Sequence, residues 1–244
     1  MEDRSLAEIL EDHGIPAEIL ADPIVNRRAF LAALGGGVAI LMMMDSAASA
    51  EQAEDRTELT GGRGGPERIA GWLHIGEDGA ITGYVGKVEM GQNARTSLTQ
   101  VIAEELHVQP GAVRLVMGDT ALTPFDIGTF GSLTTPRTVP PLRKAAAAAR
   151  ELLLDLASDQ LLVGKSTLTI GNGKVTHGNS GRSLSFGELT KGQELVQPIP
   201  EDTPTVSPER WRVVGTSVPK VDVESIVTGR KRYASDVRDR KSVV

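Results

Sequence analysis

The 244-residue chain contains no cysteine. That absence excludes disulfides, cysteine-held zinc, cysteine-ligated iron–sulfur clusters and thiol nucleophiles within it. Histidine is almost as scarce: His13, His74, His107 and His177 stand far apart, with no ligand-like pair. Any metal therefore has to arrive already held by another group. An excess of positive charge is missing too. The formal charge is -6, but residues 1–50 hold eight acids against three bases, so the remainder carries 23 bases and 24 acids. A nearly neutral body offers no basic face for displacing counterions from phosphates, which argues against nucleic acid as a partner. A long apolar run is also lacking. The longest uncharged stretch, Ala29 to Met44, contains Gly35, Gly36 and Gly37, and it falls short of the ~20 apolar residues that a spanning helix needs.

What is present begins with that stretch. Arg27 and Arg28 precede it and Ala48-Ser49-Ala50 follows it, giving a charged region, an apolar region and a small-residue cleavage site in order. Arg27-Arg28-Ala29-Phe30-Leu31 resembles the twin-arginine signal, a bacterial address for exporting folded proteins. Residues 1–50 are thus expected to form a leader cleaved after Ala50, and the protein to be periplasmic. The polar, glycine-bearing residues 51–68 read as a linker, with folded structure expected from Ile69.

At 40% hydrophobic residues, the chain is long enough to bury a core as one large domain or two small ones. "GWLHIGEDGAITGYVGKVEM" alternates apolar and polar residues on both sides of Glu77-Asp78-Gly79, predicting a hairpin. From Thr96, the residues Leu98, Val101, Ile102 and Leu106 recur at helical spacing, with Glu104 and Glu105 expected to face outward and the helix to end near His107. "AVRLVMGDT" reads as a strand and "LTPFDIGTFGSLTTP" as a loop. "LRKAAAAARELLLDLAS" consists of strong helix formers. Further on, a hairpin is predicted around Asn172-Gly173, and Ser185 with Glu188 fits a capping box. Residues 193–210 are proline-bearing and read as a connector. The fold class is α+β.

Two polar loops stand before the two helices. Gly91-Gln92-Asn93 lies between a strand and a helical first turn, where free amides and the positive end of the helix dipole suit an anion or a polarised oxygen. Gly128-Thr129-Phe130-Gly131-Ser132-Leu133-Thr134-Thr135 repeats the arrangement. By themselves both loops read first as turns and caps.

Taken jointly, "VEMGQNARTSLTQVIAEELHVQPGAVRLVMGDTALTPFDIGTFGSLTTPRT" resembles a segment of the molybdopterin-binding subunits of the xanthine oxidase family, of the isoquinoline 1-oxidoreductase beta-subunit type. The resemblance runs from about Ile69 to Arg238. Its last part, "VGTSVPKVDVESIVTGRKRYASDVR", is similar to the opening of that family's a/b hammerhead domain. It implies a molybdopterin-binding domain part over residues 69–192 and the start of a hammerhead domain over 211–238. It also implies that Gly91 and Gln92 contact the cofactor on one side, and Phe130, Gly131, Ser132 and Thr134 on the other. Many members have a second glycine where this chain has Asn93.

The family chemistry implied is hydroxylation of N-heteroaromatic compounds or aldehydes with water-derived oxygen. The implied cofactor is molybdenum-molybdopterin cytosine dinucleotide. Implied partners are a small subunit with two 2Fe–2S clusters, a cytochrome c acceptor and the twin-arginine export machinery. No catalytic residue is assigned: the family's catalytic glutamate belongs to a C-terminal segment absent here, so Glu89 is not read as the base. This fragment alone is expected to be inactive, and residues 239–244 read as an artefactual tail. The rival reading is a secreted α+β binding module without redox activity.

Overall fold

A computed structural model describes residues 36–43, 69–119, 122–123, 126, 128–200 and 202–236. The strands are β1 (Gly37–Met43), β2 (Ile69–Ile75), β3 (Ile81–Val85) and β4 (Val113–Met117), with helix α1 (Ala94–Leu106) between the last two. Helix α2 (Thr134–Leu161) follows, then β5 (Leu168–Gly171), β6 (Lys174–His177), β7 (Ser183–Ser185), the short helix α3 (Phe186–Thr190), β8 (Glu194–Pro198) and the one-turn helix α4 (Val223–Val227). Five strands form a mixed sheet in the order β4-β3-β2-β1-β8, and β5-β6-β7 form a second, antiparallel one. The α+β class follows directly.

The alternation around Glu77-Asp78-Gly79 does produce a hairpin, β2 pairing β3 with Ile75 opposite Ile81. Strand β4 then lies parallel to β3, with Val113 and Leu115 buried and Arg114 exposed between them. Leu98, Ile102 and Leu106, one helical turn apart, are at most 1% exposed and pack with Leu73, Ile75, Ile81 and Val85. A Cβ on Gly83 would stand 2.7 Å from Ile102 and 3.0 Å from Leu115, so this glycine is what lets α1 sit close to the sheet. On α2 the buried residues are mostly alanine, from Ala145 to Ala149 and Ala157, and their small side chains let α1 and α2 approach closely. The turn at Asn172 and Gly173 has both φ values positive, 51° and 76°, as a two-residue hairpin requires. The Ser185–Glu188 capping box is present at α3.

Several expectations are corrected. Folded structure does not begin at Ile69: part of the stretch read as leader forms β1, antiparallel to β2 and parallel to β8, with Val38, Ala39 and Ile40 at most 1% exposed. An apolar export segment and a strand buried on both faces have the same composition, so periodicity cannot separate them. Gly37 enters the strand at φ 108°, and a Cβ there would lie 2.3 Å from the Ile75 carbonyl oxygen. Its N–H donates to the Gln193 carbonyl at 2.9 Å, and the His74 ring nitrogen lies 2.8 Å from the Gly36 carbonyl. Burial lowers the His74 pKa, outweighing that hydrogen bond and the nearby Asp78 carboxylate. The connector expected over 193–210 begins as the edge strand β8. Over 211–236 the described residues hold α4 and a 3-10 turn. Helix α2 starts at Thr134 and carries Pro140 and Pro141 inside it; both fall in its first third, away from the buried alanines. The twin arginines, the expected cleavage site, the linker 51–68 and the tail 239–244 lie outside the described residues.

Glu104 and Glu105 do not face outward. They are 2% and 0% exposed and draw the returning chain onto α1. Glu104 accepts from the amides of Arg212, Val213 and Val214. Glu105 accepts from Val206 N at 3.0 Å and pairs with Arg150 at 2.8 Å and Arg143 at 2.9 Å. Buried carboxylates of this kind persist only when fully hydrogen-bonded.

Candidate cofactor site

Strands β3 and β4 are parallel neighbours, so the loops that leave them emerge at the same end of the sheet. One is Lys87 to Asn93, leading into α1; the other runs from Gly118 to Leu133 and leads into α2. In open sheets with helical crossovers, this carboxyl end is where ligands lie. The two loops are tied together. The Lys87 ammonium pairs with Asp126 at 2.9 Å and donates to the Gly128 carbonyl at 2.9 Å. Sequence reasoning misses Lys87, because nothing local marks a lysine whose partners are 39 and 41 residues away.

In the first loop Gly91, Gln92 and Asn93 are exposed. Gly91 has φ 105° and a Cβ there would meet nothing within 4 Å, so backbone conformation demands glycine and the space before it stays open. Asn93, at the position where the family often has glycine, has φ 67°, which asparagine tolerates better than most residues. The Gln92 amide is folded over its own loop: its Oε1 accepts from Met90 N at 2.7 Å and its Nε2 donates to the Val88 carbonyl at 2.9 Å. One N–H and one lone pair of that amide remain for another group.

An anion supplied by the chain itself lies at the entry to α1: Glu89 accepts from the loop amides Gly91 N and Asn93 N and from Arg95 N, the second residue of the helix. Burial pushes its carboxyl up, but those three amides and Lys220 outweigh it, so its pKa stands below the usual carboxylate value. Glu89 faces inward as a cap.

In the second loop Phe130, Gly131 and Ser132 are exposed, and Thr134 is half-buried. Gly131 and Ser132 both have φ 59°. Thr129 and Thr134 hydroxyls lie 2.7 Å apart, and no side chain caps the start of α2. Asp119 orders the turn after β4 through Leu122 N at 3.0 Å. His107 ends α1 with φ 52°, its N–H returned to the last helical turn.

The two loops thus present an oriented amide, hydroxyls, an exposed phenyl ring and open glycine backbone beside a lysine. That set of groups fits a large, polar, heteroaromatic cofactor. Among the described residues no group of three or more His, Asp or Glu could hold a metal ion directly.

Residues 26–224 match the family described as molybdopterin cofactor-binding domain, and the chain belongs to it. Its relatives include xanthine dehydrogenase molybdenum-binding subunits of Escherichia coli. The chain is 38% identical over 170 residues to one nicotinate dehydrogenase subunit of Pseudomonas putida, covering 70% of this chain and 14% of that protein. It is 28% identical over 209 residues to the beta-subunit of isoquinoline 1-oxidoreductase of Brevundimonas diminuta, covering 68% and 26%. Among solved structures, quinoline 2-oxidoreductase from Pseudomonas putida 86 superposes with a TM-score of 0.41 at 22% identity, over 48% of this chain and 15% of that one. The chain therefore spans 14% to 26% of these two curated relatives.

Proposed function

We propose that this chain is the cofactor-holding part of a periplasmic molybdenum hydroxylase acting on N-heteroaromatic compounds or aldehydes. The observation that carries the proposal is the Lys87 tie, which brings the Gly91-Gln92 loop and the Phe130–Thr134 loop to one end of the sheet. The names of the nicotinate and isoquinoline relatives support the substrate class. The Arg27-Arg28 pattern supports the location.

Gly91 lets the backbone approach the cofactor, and Gln92 offers its remaining N–H and lone pair. Phe130 supplies a flat apolar wall, while Ser132 and Thr134 supply hydroxyls around it. Gly131 keeps that wall free of a side chain. When bound, molybdenum-molybdopterin cytosine dinucleotide supplies the two-electron redox chemistry, and the protein supplies binding and orientation. A small subunit with two 2Fe–2S clusters carries the electrons onward, and a cytochrome c accepts them.

The test is metal and nucleotide analysis of the complete subunit, co-expressed with its small partner. About one molybdenum and one cytidine monophosphate per chain are expected. A correctly folded protein lacking both would overturn the proposal and leave a secreted α+β binding module.

A further inference from the structure

Among the described residues Glu89 holds more of the cofactor loop than any other side chain. Its side chain is only 8% exposed although it lies beneath an exposed turn. One oxygen accepts from Gly91 N at 2.8 Å and Asn93 N at 3.1 Å, and the other from Arg95 N at 2.8 Å. The loop is therefore wound around one anion supplied by the chain itself. Three amides at alternate positions turn inward, and both positive-φ residues, Gly91 and Asn93, lie between or at those donors. Gln92, on the opposite side of the turn, is left facing out with its amide pinned to Val88 and Met90. From beyond the connector, Lys220 places its ammonium 3.7 Å from the same carboxylate. Glu104 fixes that segment by holding Arg212 to Val214, and the Thr96 hydroxyl accepts from Val221 N at 3.1 Å.

From this geometry we infer that Glu89 is a positioning residue for the cofactor, acting through Gln92. It rests on the cofactor reading above. The carboxylate gathers the amides that lead into α1, Gly91 N, Asn93 N and Arg95 N, so the loop meets its ligand through the Gln92 amide and the open face of Gly91. Lys220 makes the segment after the connector part of the same arrangement: when it docks on α1, it neutralises Glu89 and stiffens the turn. Charge-assisted hydrogen bonds to backbone N–H are the stronger kind. Without them the turn samples other shapes, and apparent affinity falls by the fraction of time the competent shape is populated.

The test uses the complete subunit with its small partner and three variants, Glu89→Gln, Gln92→Ala and the double. Molybdenum and cytidine monophosphate retained after prolonged dialysis are measured, together with the melting temperature of cofactor-free protein. Glu89→Gln keeps the side chain's shape and is expected to lower retention about tenfold, as a loop competent one-tenth of the time would. The decisive result is the double variant. Acting through Gln92, it should retain no less than the poorer single variant, whereas a merely structural cap would give additive losses. Lys220→Met is expected to give a smaller loss in the same direction. Parent-level retention in Glu89→Gln, or additive losses in the double, overturns this inference while the cofactor reading stands. A folded parent without molybdenum overturns both.

Discussion

Replacing Glu105 tests whether the returning chain is held by a buried anion. The carboxylate is fully buried and serves three partners: Arg150 at 2.8 Å, Arg143 at 2.9 Å and Val206 N at 3.0 Å. Arg150 is itself 7% exposed, so removing Glu105 leaves a buried guanidinium with only Glu151 and backbone carbonyls for company. Breaking a buried pair by deleting one partner costs about 3–5 kcal/mol. Arg143 is 20% exposed on its side chain, and water screens its share, so the estimate rests on Arg150 and Val206. A domain of this size has only about 5–15 kcal/mol in hand, which puts Glu105→Ala close to unfolding. Glu105→Gln keeps the volume and one acceptor and remains measurable, with an expected loss of about 2 kcal/mol. Urea denaturation followed by circular dichroism reads it as a lower midpoint at unchanged slope. An unshifted midpoint for Glu105→Gln would refute the claim that this carboxylate clamps the connector.

Three further outcomes are expected. In the complete subunit, molybdenum loss should run Gly131→Val first, then Gln92→Ala at about 1–3 kcal/mol of cofactor binding, then Ser132→Ala; parent-level molybdenum and activity in all three would reduce both loops to structural turns. Changing Arg27 and Arg28 together to lysine should keep the protein in the cytoplasm, since the receptor reads the pair rather than the charge; cell fractionation showing normal periplasmic accumulation would remove the export proposal. The Glu89 pKa is depressed in the folded state, so its stabilising contribution is present above the ordinary glutamate pKa and is lost as pH falls through the depressed one. Acid titration of the melting temperature should therefore be flatter for Glu89→Gln than for the parent, and superimposable curves would contradict the inward-facing cap.

Local patterns carry the legible part of this fold. The hairpin about Asp78, helix α1, the Asn172-Gly173 turn and the Ser185–Glu188 box each depend on residues a few positions apart, and each is readable from them. Glu104 and Glu105 mislead because a periodicity argument assigns every charge to solvent, while the groups that bury these two lie 38 to 110 residues away. The same distance hides Lys87. Helix α2 is longer than its pattern predicts because proline forbids a helical N–H bond in general, yet here Pro140 and Pro141 precede the buried part of the helix. Of the site, glycine positions and hydroxyls can be read in advance. That Glu89 gathers the amides of Gly91, Asn93 and Arg95 cannot, since a glutamate six residues before an arginine carries no sign of where its carboxylate will turn.

Strand β1 has hydrogen-bonded neighbours on both sides. Proteolysis after Ala50 would carry it away, because it lies wholly on the leader side of that bond. Strands β2 and β8 would then stand about 10 Å apart, twice the normal inter-strand spacing, each with a row of unpaired N–H and C=O groups. Open rows of that kind recruit another strand. Maturation at that bond would thus convert a continuous five-stranded sheet into one with a vacancy of fixed width and polarity: antiparallel to β2, parallel to β8, and apolar on the side facing the helices.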